Sequence, residues 1–478
     1  MLLEDILNTI EKNKNRIYCE KMTYGMLYEK IYKLYSYILQ LKKENKFSKR
    51  IIVYGSKDIE MIIAFLACSY AGITYIPVDI SCTSDRLERI IEETKPITIL
   101  TKEIINQIIN EKVEIKEIIP LLKSNDTYYT IFTSGSTGIP KGVEISYKNL
   151  DTFTKRIIDT IPVKHSSIVN QALYSFDLSV ADIYLTLLTG SEYIILDRIK
   201  IDEYEKMFEK IKRAQVIIAT PTFLDFLLID KSFKKDNCKE LKYIYLCGEI
   251  LKKKTVEKVY ERFSDIQIIN AYGPTECTVA ITSTKIRKDC EKVAVGDTKD
   301  SNFVILDNNL NTVKEKEVGN IVIYGDQVAK GYTNYSNDSF IKYNDQRAYI
   351  TGDLGYIEDN RLYFVGRKDR QIKLGGYRIE LAEIESIILE IANVKKCVVV
   401  PKYKDEKVES ITAYIVSNTS SDTLKKQIKE KLPHYMIPNI KIVDQLPVNN
   451  NFKTDVKRIE ELENERKNNW NDSWNIRQ

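Results

Sequence analysis

Between residues 50 and 270 short apolar runs alternate with amphipathic stretches, and this alternation constrains the fold more than any other feature of the chain. RIIVYG reads as a strand, KDIEMIIAFLACSYAG as a helix stopped by Gly72, and ITILT as the next strand. Farther on, SEYIILD, VIIAT and YIYLCGE are strands, IDEYEKMFEKIKRAQ is a helix, and IQIINAYGPTE is a strand that runs into a loop. The expected class is α/β, with ligand-binding loops beyond the carboxyl ends of the strands. From about 293 to 366 the helical signal fades, and SNFVILD, GNIVIYG and RLYFVG predict a β-rich portion. After GRKDRQ the pattern restarts with a strand near 372, a helix over 381–391, strands over 395–401 and 409–416, a helix over 422–432 and a strand near 440. This is a small α+β unit of about 100 residues.

With 478 residues the chain exceeds the ~250 to 300 at which a single core stops growing, so more than one domain is expected. No apolar run approaches the ~20 residues of a membrane crossing, and membrane insertion is not expected. The start, MLLEDILNTIEKNKNR, has acidic residues in its apolar stretch and no small-residue cleavage site, which points to the cytoplasm. The net charge of +4 arises from 72 basic and 68 acidic residues intermixed along the chain, with no basic stripe for nucleic acid. Eight cysteines without a C-x-x-C pair suggest neither zinc nor a disulfide framework. His165 and His434 are the only histidines, too few for a multi-His metal site and a weak basis for a His-dependent hydrolase.

The stretch TSGSTGIPKG departs most from ordinary strand–helix traffic. Gly135 and Gly138 let backbone N–H groups turn inward, while Thr133, Ser134, Ser136 and Thr137 add hydroxyls and Lys141 adds a point charge. The spacing is wrong for a Walker A motif. Taken alone, the stretch reads either as a cradle for polyphosphate or as an ordinary Ser/Gly turn.

Other segments decide between these readings. In chain order, AGITYIPVD, TSGSTGIPKG, SFDLS, INAYGPTE, VAKGYTN, YITGD, GRKDRQIKLGGYRIELAEIE and LPVNNNFKTD resemble the motifs of the adenylate-forming superfamily, which holds acyl-CoA synthetases, luciferase-like enzymes and peptide-synthetase adenylation domains. Within it, NQALYSFDLSVADIY, YLCGE and NAYGPTECTVA are most similar to the stand-alone D-alanine:D-alanyl carrier protein ligases. The resemblance implies a large N-terminal adenylation core over 1–367, a hinge at 368–370, a small mobile α+β domain over 371–460 and a polar tail over 461–478.

The same resemblance implies residue roles. Asn270 would hydrogen-bond the adenine and Tyr272 stack on it, with Ala271 and Gly273 also binding ATP; Thr275 would meet the α-phosphate and Asp353 with Arg367 the ribose, while the loop from Thr133 to Lys141 would hold the phosphates and Glu276 the Mg2+. Lys453 would be the catalytic lysine of the first half-reaction. Asp369 would be the hinge, and Lys373, Gly375 and Gly376 would form the loop that approaches the thiol arm in the second. Asp177 would pair with the substrate ammonium, or serve as an N-cap for the helix that follows. Cys247 and Val279 would wall a pocket for a small side chain; a buried inert thiol is the other reading of Cys247. Two positions depart from the family: Phe452 stands where glycine is usual, and Val456 where a basic residue is common.

The implied activity is ATP- and Mg2+-dependent adenylation of a small amino acid, D-alanine foremost, then thioesterification to the phosphopantetheine of a separate carrier protein, with no tightly bound organic cofactor. Two alternatives stay open: adenylation of another amino acid for natural-product assembly, and a non-catalytic nucleotide-binding protein that keeps the fold.

Overall fold

The computed structural model describes residues 1–45, 47–135, 140–196, 203–299, 302–335, 338–404, 407–447 and 454–464, and the backbone of 476–477. The chain divides into two compact units. One comprises Met1–Ile80, Ile91–Phe132 and Gly142–Lys368; the other comprises Ser81–Ile90, Thr133–Lys141 and Asp369–Gln478.

The alternation that reads as α/β builds two six-stranded sheets in the first unit. One runs in the order Gly331–Tyr332, Lys141–Ser146, Thr127–Thr133, Thr74–Asp79, Arg50–Gly55, Ile99–Thr101. The other runs Thr282–Ile286, Gln267–Tyr272, Tyr243–Leu246, Val216–Ala219, Ser167–Asn170, Glu192–Ile195 and is parallel except at its first pair. The helices Ile59–Tyr70 and Leu178–Thr189 are buried along nearly their whole length; the first is apolar on nearly every side, while the second also buries Ser179, Asp182, Thr186 and Thr189. A single apolar core takes in Ile51, Val53, Phe65 and Tyr75 from the first sheet and its helix, and Ile168, Val216, Ile218 and Ile269 from the second. The stretch read as β-rich forms an antiparallel sheet: Gly296–Asp297, Arg361–Arg367, Gln346–Glu358, Gly319–Tyr324, Phe303–Leu306.

Local chemistry fixes several entries. Tyr147–Thr160 starts with a capping box in which Asn149 N–H donates to Ser146 Oγ at 3.1 Å and Ser146 N–H donates to Asn149 Oδ1 at 2.7 Å. The Asn149 amide also donates to the carbonyls of Asp326 and Val328, tying down the approach to Gly331–Tyr332. Leu178–Thr189 ends at Gly190 in the left-handed region (φ 64°), where a Cβ would lie 2.7 Å from the Asn13 amide.

That helix carries a fully buried acid. Burial pushes the Asp182 carboxyl up to about 8, against the hydrogen bonds that Tyr193 and Asn170 donate to it at 2.7 and 3.0 Å. A carboxyl that keeps its proton to higher pH in the folded chain than in the unfolded chain makes stability fall as pH rises between the two values. The contribution changes from the ordinary Asp range near ~4 upward to about 8. Denaturant melts should therefore show stability declining over that window, and the decline should be shallower in Asp182→Asn; equal slopes would contradict this.

In the second unit, the sheet order Val394–Lys404, Lys407–Ser417, Asn439–Val443, Ile476–Arg477 has apolar clusters on both faces. Leu381–Leu389 and Ser421–Lys431 cover one face with Ile384, Ile388, Leu424 and Ile428, while Val456–Asn464 covers the other through Ile459. Gln371–Leu374 and Tyr377–Glu380 form a hairpin whose turn residues, Gly375 and Gly376, both have positive φ (59° and 86°). Among the described residues no helix is long and apolar enough to cross a membrane.

Candidate active site

In the first unit, the polar loops leave the carboxyl ends of the parallel strands. Gln267–Tyr272 delivers Asn270, Ala271 and Tyr272, all buried. The chain then turns through Gly273 and Pro274 into a short 3-10 turn, Thr275–Cys277. Gly273 is required by close approach: a Cβ there would lie 2.7 Å from Ala280 Cα and 2.9 Å from Ile281 N. Thr278 and Val279 take positive φ (57° and 69°), a bend secured by Thr278 Oγ1 donating to the Gln327 carbonyl at 2.8 Å.

Tyr272, Asp353 and Arg367 converge. The Tyr272 hydroxyl donates to Asp353 Oδ2 at 2.5 Å, and Arg367 Nη1 donates to Asp353 Oδ1 at 2.5 Å. Asp353 and Arg367 face each other across paired strands, which places the ion pair by register, and Arg367 Nη2 also donates to the Thr351 carbonyl at 3.3 Å. Asp353 as a whole residue is 3 % exposed. Burial first, then Asp353, holds the Tyr272 phenol well above its ordinary range, so it stays a donor. A carboxylate with one partner on each oxygen still has lone pairs for two hydroxyl donors.

Asn270 is 1 % exposed and donates to the Ala294 carbonyl at 2.8 Å. Thr275 and Glu276 are buried, and Glu276 Oε1 accepts from the Tyr332 hydroxyl at 2.6 Å. Cys247 and Val279 meet, with the thiol 3.8 Å from the Val279 carbonyl. Asp177 occupies the N-cap position of Leu178–Thr189 but its side chain makes no capping bond. Its charge acts on Tyr129, whose phenol is raised by burial first, then by Tyr75 and Asp177.

In the second unit, Ser134 Oγ donates to the Arg378 carbonyl at 2.8 Å and accepts from Glu380 N–H at 3.2 Å. Gly135 N–H donates to Glu383 Oε2 at 3.0 Å, and Arg86 Nη1 donates to the other oxygen at 2.7 Å. A loop N–H that already holds a carboxylate oxygen has the donor chemistry that an anionic phosphate needs. Thr133 Oγ1 donates to the Lys141 carbonyl at 3.5 Å. Asp369 is exposed and accepts from Gln371 N–H at 3.2 Å, while Lys373 lies on the hairpin beside Gly375 and Gly376. Ser136, Thr137, Gly138, Phe452 and Lys453 lie outside the described residues.

The model of the AMP-binding enzyme matches residues 10–333, and that of the AMP-binding enzyme C-terminal domain matches 383–453. The chain belongs to the AMP-binding enzyme family. Among curated relatives, the D-alanine–D-alanyl carrier protein ligase of Bacillus licheniformis is 37% identical over 92% of this chain and 94% of its own length. That of Lactococcus lactis is 33% identical over 97% and 99%. A solved structure of the Vibrio cholerae adenylation domain AlmE in complex with glycyl-adenosine-5'-phosphate has a TM-score of 0.83 at 21% identity, covering 96% of this chain and 97% of that one. Membership in the AMP-binding family makes the chain an AMP-forming ligase that uses ATP, and the adenylate-forming resemblance and the α/β class read from its sequence both hold.

One residue of this site went unassigned in the sequence. VAKGYTN was recognisable as a family motif, but only the fold brings its Tyr332 to Glu276.

Proposed function

We propose that this ligase adenylates D-alanine and transfers it to the phosphopantetheine thiol of a separate carrier protein. The relatives' shared activity supports the substrate class, and the Cys247–Val279 contact carries the choice of a small side chain, because the thiol narrows the space beside that carbonyl. Asp177, at the N-cap position of Leu178–Thr189 without a side-chain capping bond, is the proposed partner of the substrate ammonium.

In the first step an oxygen of the substrate carboxylate attacks the α-phosphorus, the bond to the bridging oxygen breaks, and pyrophosphate leaves. Adenine would lie against Tyr272 with Asn270 and Ala271 beside it, the ribose hydroxyls would donate to Asp353, and Thr275 would meet the α-phosphate. Thr133, Ser134, Gly135, Ser136, Thr137, Gly138 and Lys141 are proposed for the remaining phosphates, and Lys453 for the charge that develops in the transition state. In the second step the carrier's thiol, losing its proton, displaces AMP from the acyl carbon. Asp369 is the proposed hinge and Lys373, Gly375 and Gly376 the loop serving that step, within a core over 1–367 and a mobile lid over 371–460.

Glu276 fits Mg2+, a hard cation that takes oxygen ligands and commonly relies on one or two carboxylates plus phosphate oxygens and water. Mg2+ would neutralise phosphate charge there.

ATP–pyrophosphate exchange across a panel of D- and L-amino acids tests the substrate. D-alanine should exceed glycine by roughly tenfold or more, the worth of one buried methyl in a fitted pocket. Preference for a large side chain, or for an acid without an amino group, would overturn the proposal.

A further inference from the structure

Glu276 is fully buried and is the middle residue of the three-residue turn Thr275–Cys277. What meets its carboxylate comes from a distant part of the chain. Gly331–Tyr332 is a two-residue strand laid antiparallel on Lys141–Ser146, with Gly331 opposite Glu144 and Tyr332 opposite Val143. Its position is secured from several sides: Thr333 N–H donates to the Gly142 carbonyl at 2.8 Å, Lys330 N–H to the Glu144 carbonyl at 3.0 Å, and Arg347 Nε to the Ala329 carbonyl at 2.6 Å. Ala329 N–H in turn donates to the Glu276 carbonyl at 2.8 Å, so the two segments are joined through backbone as well as side chain.

This framework holds the Tyr332 ring against Phe340 and Tyr335, with its hydroxyl 2.6 Å from Glu276 Oε1 and 3.2 Å from the Tyr349 hydroxyl. We propose that Tyr332 is a positioning residue, whose hydroxyl fixes the rotamer and plane of the Glu276 carboxylate for the metal ion that accompanies ATP. This rests on the reading of Glu276 as the Mg2+ ligand. Partners of this kind, one bond removed from the ion, set ligand orientation, and their loss costs roughly 10- to 100-fold in metal affinity. The strand is also paired to the one that follows the glycine-rich loop, so the carboxylate is oriented from the same sheet.

The test uses the full chain at fixed ATP, with Mg2+ varied and the ATP-dependent rise in Tm as a readout of binding rather than turnover. Tyr332→Phe keeps the ring and removes one oxygen. The Mg2+ concentration giving half of the rise should increase roughly 10- to 100-fold. In pyrophosphate exchange, kcat should recover at high Mg2+. Glu276→Gln should shift the half-point at least as far, and Tyr349→Phe, which leaves the Tyr332 donor in place, should leave it near the parent value. A shift in Glu276→Gln without one in Tyr332→Phe would overturn the role of Tyr332 alone. No shift in either would overturn the metal reading itself. An equal shift in Tyr349→Phe, or loss of the fold in Tyr332→Phe, would mean general packing damage and contradict a role confined to the carboxylate.

Discussion

Arg367→Ala should lower the stability of the folded chain by about 3–5 kcal/mol and abolish measurable adenylation at ordinary ATP concentrations. The reason is the burial of its partner: with the guanidinium gone, Asp353 keeps the Tyr272 hydroxyl and loses the cation that lies 2.5 Å from its carboxylate. The ion pair's side chains are 12 % and 4 % exposed, so water cannot replace the lost partner as it would at the surface. Arg367→Lys restores charge without the second donor that reaches the Thr351 carbonyl, and should fall between the parent and alanine. Denaturant melts and the KM for ATP measure the two effects separately. A stable Arg367→Ala with an unchanged KM for ATP would show that the pair is neither structural nor nucleotide-binding.

Lys453→Ala should reduce adenylate formation by roughly 10²- to 10³-fold, the cost of removing one preorganised donor from a charged transition state. Transfer from supplied aminoacyl adenylate to the carrier thiol should be much less affected, because the proposed role belongs to the first step alone. Pyrophosphate exchange and single-turnover transfer report the two steps independently. Equal loss in both would indicate misfolding or a different function for this lysine.

The fold was legible wherever a single run of residues carries its own periodicity. Ile59–Tyr70 is apolar on all sides and bounded by Gly72 at φ 69°, and Gln267–Tyr272 is an apolar run that breaks at Gly-Pro; both could be read from their letters. The division of the α/β region into two separate six-stranded sheets could not, since strand order depends on pairing between segments far apart. Nor was the helix Val456–Asn464 apparent, because only a few of its positions are apolar. Val456, where the family commonly has a basic residue, packs partly buried against the cluster of Val398, Val400 and Tyr414. The substitution thus has a packing reason.

The candidate site divides in the same way. Motifs such as NAYGPTE and YITGD named Tyr272 and Asp353, but neither spacing nor chemistry said that a tyrosine hydroxyl would donate to that aspartate across 81 residues of sequence. Tyr332 illustrates the limit: a tyrosine beside a glycine, as in VAKGYTN, has many uses, and only the pairing of Gly331–Tyr332 with the strand holding Val143 gives its hydroxyl an address. For Asp177 the sequence left two roles open, and the missing capping bond weighs against the structural one.

Nucleotide should bind where the strand Gln267–Tyr272 ends, and a crystal structure with bound AMP checks this. Adenine should lie on the Tyr272 ring, both ribose hydroxyls should reach Asp353, and the phosphate should sit beside Thr275. Density for the nucleotide remote from these residues, or a ribose that leaves Asp353 untouched, would contradict it.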